Sequence, residues 1–208
     1  VAYENSRKKI ADFINADFQQ EQFFLLYKLD SNIDFKQSLI LAILNAIIGD
    51  TMSSRLFFFF RDNSGYCYNV YSFINLFKHC GFWCFYATSS KENCLNVAKN
   101  LIQIVDEFFK NEITLQEINY AKQHLCGEEI MSSDDMEQRM KQMARFYFSG
   151  FNQYPQDEII KLINEITFED LYDYLNKIKT DLKKSLIIYG PKIKSADKKI
   201  IQKEFDYE

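Results

Sequence analysis

Two histidines, His79 and His124, are the only imidazoles in the chain. They stand 45 residues apart, and neither begins a His-x-x-Glu-His run. That motif places two imidazoles on one helical face around zinc, with a glutamate to activate the bound water. Zinc-driven hydrolysis by this chain alone is therefore not supported. His79, Cys80 and Cys84 are close in sequence, yet on a strand Cys80 and Cys84 stand about 13 Å apart and cannot share one ion. His124, with Glu128 and Glu129 beyond it, reads as a solvated residue of a polar helix without a complete ligand set.

The elements that must position these residues follow from periodicity. Gln22 to Leu29 reads as a short buried strand. Leu39, Ile40, Ile43, Leu44, Ile47 and Ile48 form a helical stripe, with Gly49 as its C-terminal stop. Tyr66 to Ile74 and Cys80 to Thr88 read as two strands with both faces covered, joined by about five residues that include Lys78 and His79. Ser89 and Glu92 form a possible capping box ahead of the stripe Ala98, Leu101, Ile102, Val105, Phe108, Phe109. Thr114 and Glu117 repeat the pattern before a helix bearing Ile118, Ala121 and Leu125. Met136, Met140, Met143, Ala144 and Tyr147 make a further stripe that ends at Gly150. It reads as core packing, although a methionine-rich face also suits promiscuous peptide binding. Pro155 suits a first helical turn ahead of Ile159, Ile160 and Ile163. Thr167 and Asp170 open a helix with Phe168, Leu171, Leu175 and Ile178. Ser185 to Tyr189 is a closing strand, ended by Gly190 and Pro191.

The order strand, helix, two strands, several helices, strand predicts one α+β domain: an antiparallel sheet with a split β-α-β (ferredoxin-like) core and an expanded helical layer. Residues 1–20 read as a lead-in or linker segment, and 191–208 as a charged terminal helix or tail. The 47% hydrophobic and 26% charged composition is that of a folded chain, not a disordered one. No run of about 18 or more apolar residues predicts a membrane span, and the first residues lack the apolar core of a secretion signal. The start at Val1 favours a piece of a longer polypeptide. A net charge of −4 and a pI near 5.4 argue against nucleic acid. Five cysteines without a framework spacing read as free buried thiols in a reducing compartment, cytoplasmic first, with periplasm or an organelle still open.

Several segments resemble one family. Asn45 to Phe57 (AsnAlaIleIleGlyAspThrMetSerSerArgLeuPhe) is similar to a family segment in which a helix runs through a glycine-bearing turn into Ser-Ser-Arg-Leu-Phe. Arg61 to Val70 resembles Leu-Arg-Glu-x-x-Gly-Leu-Ala-Tyr-Ser-Val, with arginine and tyrosine seven apart in both. Gly81 to Thr88, Ile113 to Lys122 and the closing IleIleTyrGlyPro also match its layout, so the resemblance runs from about Gln22 to Pro191. The family is that of insulinase, pitrilysin and mitochondrial processing peptidase, and the match is to its C-terminal, non-zinc-binding half. Two departures touch the loops: the multi-glycine turn is reduced to Gly49-Asp50, and Leu-Ala is replaced by Tyr66-Cys67.

The resemblance implies a lobe that pairs with a homologous N-terminal lobe around a chamber for unfolded peptides, as one polypeptide or as a separate subunit, with a dimer as one option. It implies zinc on that other lobe and no cofactor here. By position Arg61 and Tyr68 are then the substrate-binding pair, since a fixed guanidinium and a phenol can hydrogen-bond a peptide carbonyl and the oxyanion that develops on it. The plain alternative makes Arg61 a cation near the carbonyls of a helix end and Tyr68 an ordinary strand aromatic. Phe57 to Phe60 reads as core plus an inter-lobe surface, since four consecutive aromatics cannot all face one way on a helix. The alternative is a catalytically silent scaffold of the same fold.

Overall fold

The computed structural model describes residues 10–30, 32–110, 113–181 and 183–206. The opening run ValAlaTyrGluAsnSerArgLysLys, read above for a secretion signal, lies outside the described residues. The strands are β1 (Ile10–Asn15), β2 (Gln20–Leu29), β3 (Cys67–Phe77), β4 (Cys80–Ser90) and β5 (Lys184–Gly190). The first helices are α1 (Phe35–Asn45), α2 (Arg55–Phe57), α3 (Cys94–Lys110) and α4 (Leu115–Ser133). The remaining helices are α5 (Met136–Ser149), α6 (Gln156–Glu165), α7 (Phe168–Asp181) and α8 (Ser195–Asp206). Two π-helical turns, Ala46–Asp50 and Phe58–Asn63, flank α2.

The sheet order is β1-β5-β2-β4-β3. Four of its strands, β5-β2-β4-β3, give the split β-α-β arrangement, every neighbouring pair antiparallel. Alternation along β2 sends Phe23, Leu25, Tyr27 and Leu29 into the core. Leu25 stands opposite Phe85 of β4 and Leu186 of β5. Helix α3 packs there: Trp83 meets Phe108 edge-on, and Tyr27 donates to Asp106 at 3.1 Å. Asp106 also binds Lys184, which is 2% exposed, at 3.1 Å. The lysine end of this pair is buried while Asp106 stays 23% exposed, and both aspartate oxygens are engaged, as a buried charge requires of its partner.

Several expectations change. β1 lies within the segment read as a lead-in, and it adds the sheet's one parallel pairing described, to β5 with Phe13 opposite Ile188. Only Lys78 and His79 separate β3 from β4. β3 is not covered on both faces, since Tyr71 and Phe77 are exposed. Gly49 is not a left-handed helix stop. It lies inside the first π-helical turn, where a Cβ would stand 2.4 Å from Ser72 Oγ, so the glycine permits close approach to β3. Ser89 and Glu92 form no capping box, because Ser89 stays in β4, paired with Glu21. The boxes at Thr114–Glu117 and Thr167–Asp170 do form. Pro155 is the N-cap of α6 rather than a first-turn residue.

The methionine stripe is the largest correction. Met136 is 84% exposed, and Met140, Met143 and Tyr147 are exposed as well. α5 rests on the fold through Phe146, which packs on Phe35 and Phe151. Among the cysteines, Cys67, Cys84 and Cys94 are buried, and burial pushes their thiols up to about 12. Cys80 is exposed, against the expectation of burial. The helical run Phe35–Arg61 is long and apolar enough to cross a bilayer, but 67% of its apolar window is buried within the fold.

One buried amide joins the layers. Asn45, at the end of α1, accepts from Ser72 Oγ and from Trp83 Nε1, both at 2.7 Å, and donates to the Ser72 carbonyl at 3.3 Å. Asn45→Ala strands these groups, and we expect a loss of about 3 kcal/mol in urea unfolding with an unchanged m value. Met140→Gln, on the exposed stripe, should change stability by no more than about 0.5 kcal/mol in the same assay.

Candidate functional site

Arg61 and Tyr68 are brought together by the second π-helical turn and the start of β3. The segment between them is anchored from below. Leu56 and Phe60 enter the core, and Ser54 caps α2 by accepting from Phe57 N. Phe58 points outward, while Phe57 and Phe59 are half-buried, so the four-phenylalanine run splits between core and surface. Ser64 closes the turn, donating from its hydroxyl to the Phe59 and Phe60 carbonyls. Gly65, at φ +63°, makes the reversal into β3.

Arg61 is exposed, with its guanidinium over the Phe57 ring at 5.2 Å. Nη1 donates to the Tyr68 main-chain carbonyl at 2.9 Å. Arg61 stands in the last turn of its own helical segment, as the plain alternative has it, and its bond crosses to the strand. Tyr68 and Asn69 form a β-bulge, the register slipping between Cys67 and Val70. Thr88 Oγ1 fills the gap by accepting from Asn69 N at 3.1 Å. A bulge re-aims side chains, and the Tyr68 ring is 74% exposed. Its hydroxyl and the other guanidinium donors have no partner among the described residues. The result is a cation and a phenol, both on a fixed backbone, with hydrogen-bonding capacity turned to solvent.

Arg55 was missed as a positioning residue, although it belongs to the Ser-Ser-Arg-Leu-Phe segment. It makes a fork to Glu117 of α4, Nε–Oε1 at 2.7 Å and Nη2–Oε2 at 3.0 Å, and lies over the Phe108 ring. Glu117 also closes the α4 capping box with Thr114. Burial alone would raise the Glu117 carboxyl, but the bonds from Arg55 and Thr114 outweigh it and hold it below its ordinary range. Beside this pair, a cleft of about 600 Å³ opens between residues 46–53 and α4, with Thr51, Ser53, Tyr120 and His124 on its walls.

His124 is exposed and lies 3.3 Å from Glu128. His79 is exposed in the β3–β4 turn, and Cys84 is buried four residues beyond the exposed Cys80 in β4. Among the described residues, no three His, Cys, Asp or Glu side chains gather to hold a metal ion. The donor set does not fit zinc.

Comparison with known proteins adds the family context. Residues 2–125 match the model of the family described as the peptidase M16 inactive domain. An uncharacterized zinc protease of Rickettsia felis is 27% identical over 180 residues, covering 86% of this chain and 43% of that protein. A non-peptidase homolog, YmxG of Helicobacter pylori, is 24% identical over 175 residues, covering 83% and 40%. The crystal structure of a peptidase M16 inactive domain from Pseudomonas fluorescens superposes with a TM-score of 0.72 at 21% identity. That match covers 89% of this chain and 44% of that one. The chain thus spans less than half the length of the relatives it matches.

The Arg55–Glu117 fork predicts an acid limb to stability. A carboxyl held low contributes fully above its ordinary value of 4.5, and the contribution is lost as pH falls through the lower folded value. Thermal unfolding followed from about pH 6 to pH 2 should show that fall, and Glu117→Gln should flatten it while lowering stability at neutral pH.

Proposed function

This chain belongs to the peptidase M16 inactive-domain family, and from that premise we propose that it is the non-catalytic, substrate-binding lobe of a zinc metalloendopeptidase acting on unfolded peptides. The observation that carries this reading is the Arg61–Tyr68 pair. An arginine that spends one donor on the Tyr68 main-chain carbonyl keeps others for a substrate carbonyl, and the exposed Tyr68 phenol could turn to share the developing charge. Zinc would sit on a homologous N-terminal lobe, in the same polypeptide or on a separate subunit. Relatives bearing the zinc-protease name have more than twice the length matched here, which leaves room for such a lobe.

The uncovered sheet face is the natural seat for that lobe. Core-facing residues of β2, β3 and β4 meet α1 and α3, whereas Phe24, Tyr71, Phe73, Phe82 and Tyr86 stack on one another on the opposite side. Tyr71 is exposed and the others half-buried. An aromatic surface of this kind favours a large partner over open water.

A catalytically silent scaffold is the second reading, favoured by the relative named a non-peptidase homolog. Zinc content and hydrolysis of a quenched, unstructured peptide distinguish the two, measured on the complete parent assembly and on this chain alone. Zinc and cleavage in the parent, with neither in this chain, support the substrate-binding lobe. A parent without either sinks it in favour of the scaffold. In the active assembly, Arg61→Ala should lower kcat/KM by about a hundredfold and Tyr68→Phe by about tenfold. The thermal stability of Tyr68→Phe should stay unchanged, since its hydroxyl has no partner among the described residues.

A further inference from the structure

Glu21, the second residue of β2, has a side chain 0% exposed, and neither of its carboxyl oxygens has a hydrogen-bond partner among the described residues. Buried carboxylates are ordinarily bonded or paired. The packing around it is close: a Cβ on Gly190 would stand 2.5 Å from Glu21 Oε2, so a glycine is what admits the carboxyl. Gly190 ends β5, and its carbonyl accepts from Ala16 N at 2.7 Å, closing the end of β1. The chain turns there, through Pro191, toward α8. That helix seals one end of the core with Ile201 and Phe205 and lays Lys198 over the Phe13 ring of β1.

The charged and titratable groups that face Glu21 come from three elements. Lys91 follows β4, Lys198 belongs to α8, and the Cys94 thiol of α3 feels both Glu21 and Asp197 of α8. Burial raises the proton affinity of Glu21, and the two lysines oppose it without prevailing. Neither lysine is bonded to it.

We propose that Glu21 is a pH-sensitive latch for the C-terminal helix. Neutral, the carboxyl seats against Gly190 and α8 closes over the sheet end. Ionised, it must draw in water or swing toward Lys91 or Lys198, and either movement opens the Gly190–Pro191 corner from which α8 hangs. The folded state holds the proton more tightly. The latch is therefore fully closed below the ordinary value of 4.5 and is released as pH rises through the higher folded value.

Hydrogen exchange of the α8 amides in the full 208-residue chain, corrected for the intrinsic pH dependence of exchange, tests this. Protection of α8 should fall by roughly tenfold or more between about pH 5 and pH 8 in the wild-type chain. E21Q and E21M should keep α8 protected throughout; the second, apolar and of similar length, serves if the amide is itself poorly accommodated. Unchanged α8 protection in the wild-type chain overturns the latch, as does an equal fall in both variants. Should neither variant fold, the wild-type pattern decides. A loss confined to α8 and β1 supports the latch, and one spread evenly over β2 and β4 overturns it.

Discussion

Asn45 supplies the contact on which the helix layer and the two site-bearing strands depend. Its side-chain amide reaches β3 through Ser72 and β4 through Trp83 while its backbone ends α1. In a low-dielectric interior such bonds are directional, and any one left unmade exposes a buried donor to no acceptor. The amide therefore sets how far the helix end stands from the strands. Gly49, pressed against Ser72, makes that separation short. Everything between Asn45 and β3, including α2 and both π-helical turns, is then spanned between two fixed points.

That constraint also explains how β3 manages life at the sheet edge. An edge strand carries unpaired carbonyls that invite other strands. In β3 the carbonyls of Tyr68, Ser72 and Leu76 each accept from a side chain: Arg61, Asn45 and Ser149 in turn. Arg61 thus has a structural task that fixes its guanidinium against the backbone of β3.

The molecule divides its apolar surface unevenly. One sheet face is filled by helices, the other by aromatic side chains that touch chiefly each other. α5 stands further out, with three methionines and Tyr147 in solvent. The aromatic face is half-buried by its own ring contacts, whereas the methionine stripe of α5 lies open to solvent, and nothing in the fold shows what covers it.

Local chemistry was legible in the residues. The stripes placed the long helices, and the reciprocal boxes at Thr114–Glu117 and Thr167–Asp170 closed as their spacing requires, because a cap involves only its own turn. The split β-α-β order also follows from strand and helix order. What depends on distant partners could not be read this way. β1 is short, with Asp12 and Asn15 breaking its apolar run, and it becomes a strand only because β5, far along the chain, offers a parallel edge. Ser89 had a cap's neighbours but was held in β4 by pairing with β2. The methionine period marks a helical face without saying whether that face meets protein or water. Arg61 and Tyr68 became candidates only through the family resemblance of the segment that carries them; their meeting rests on a bulge, on Thr88 and on Asn45. Sequence determined which residues could bond, and the tertiary structure alone decided which came within reach, because hydrogen bonds and burial depend on distances that chain order does not set.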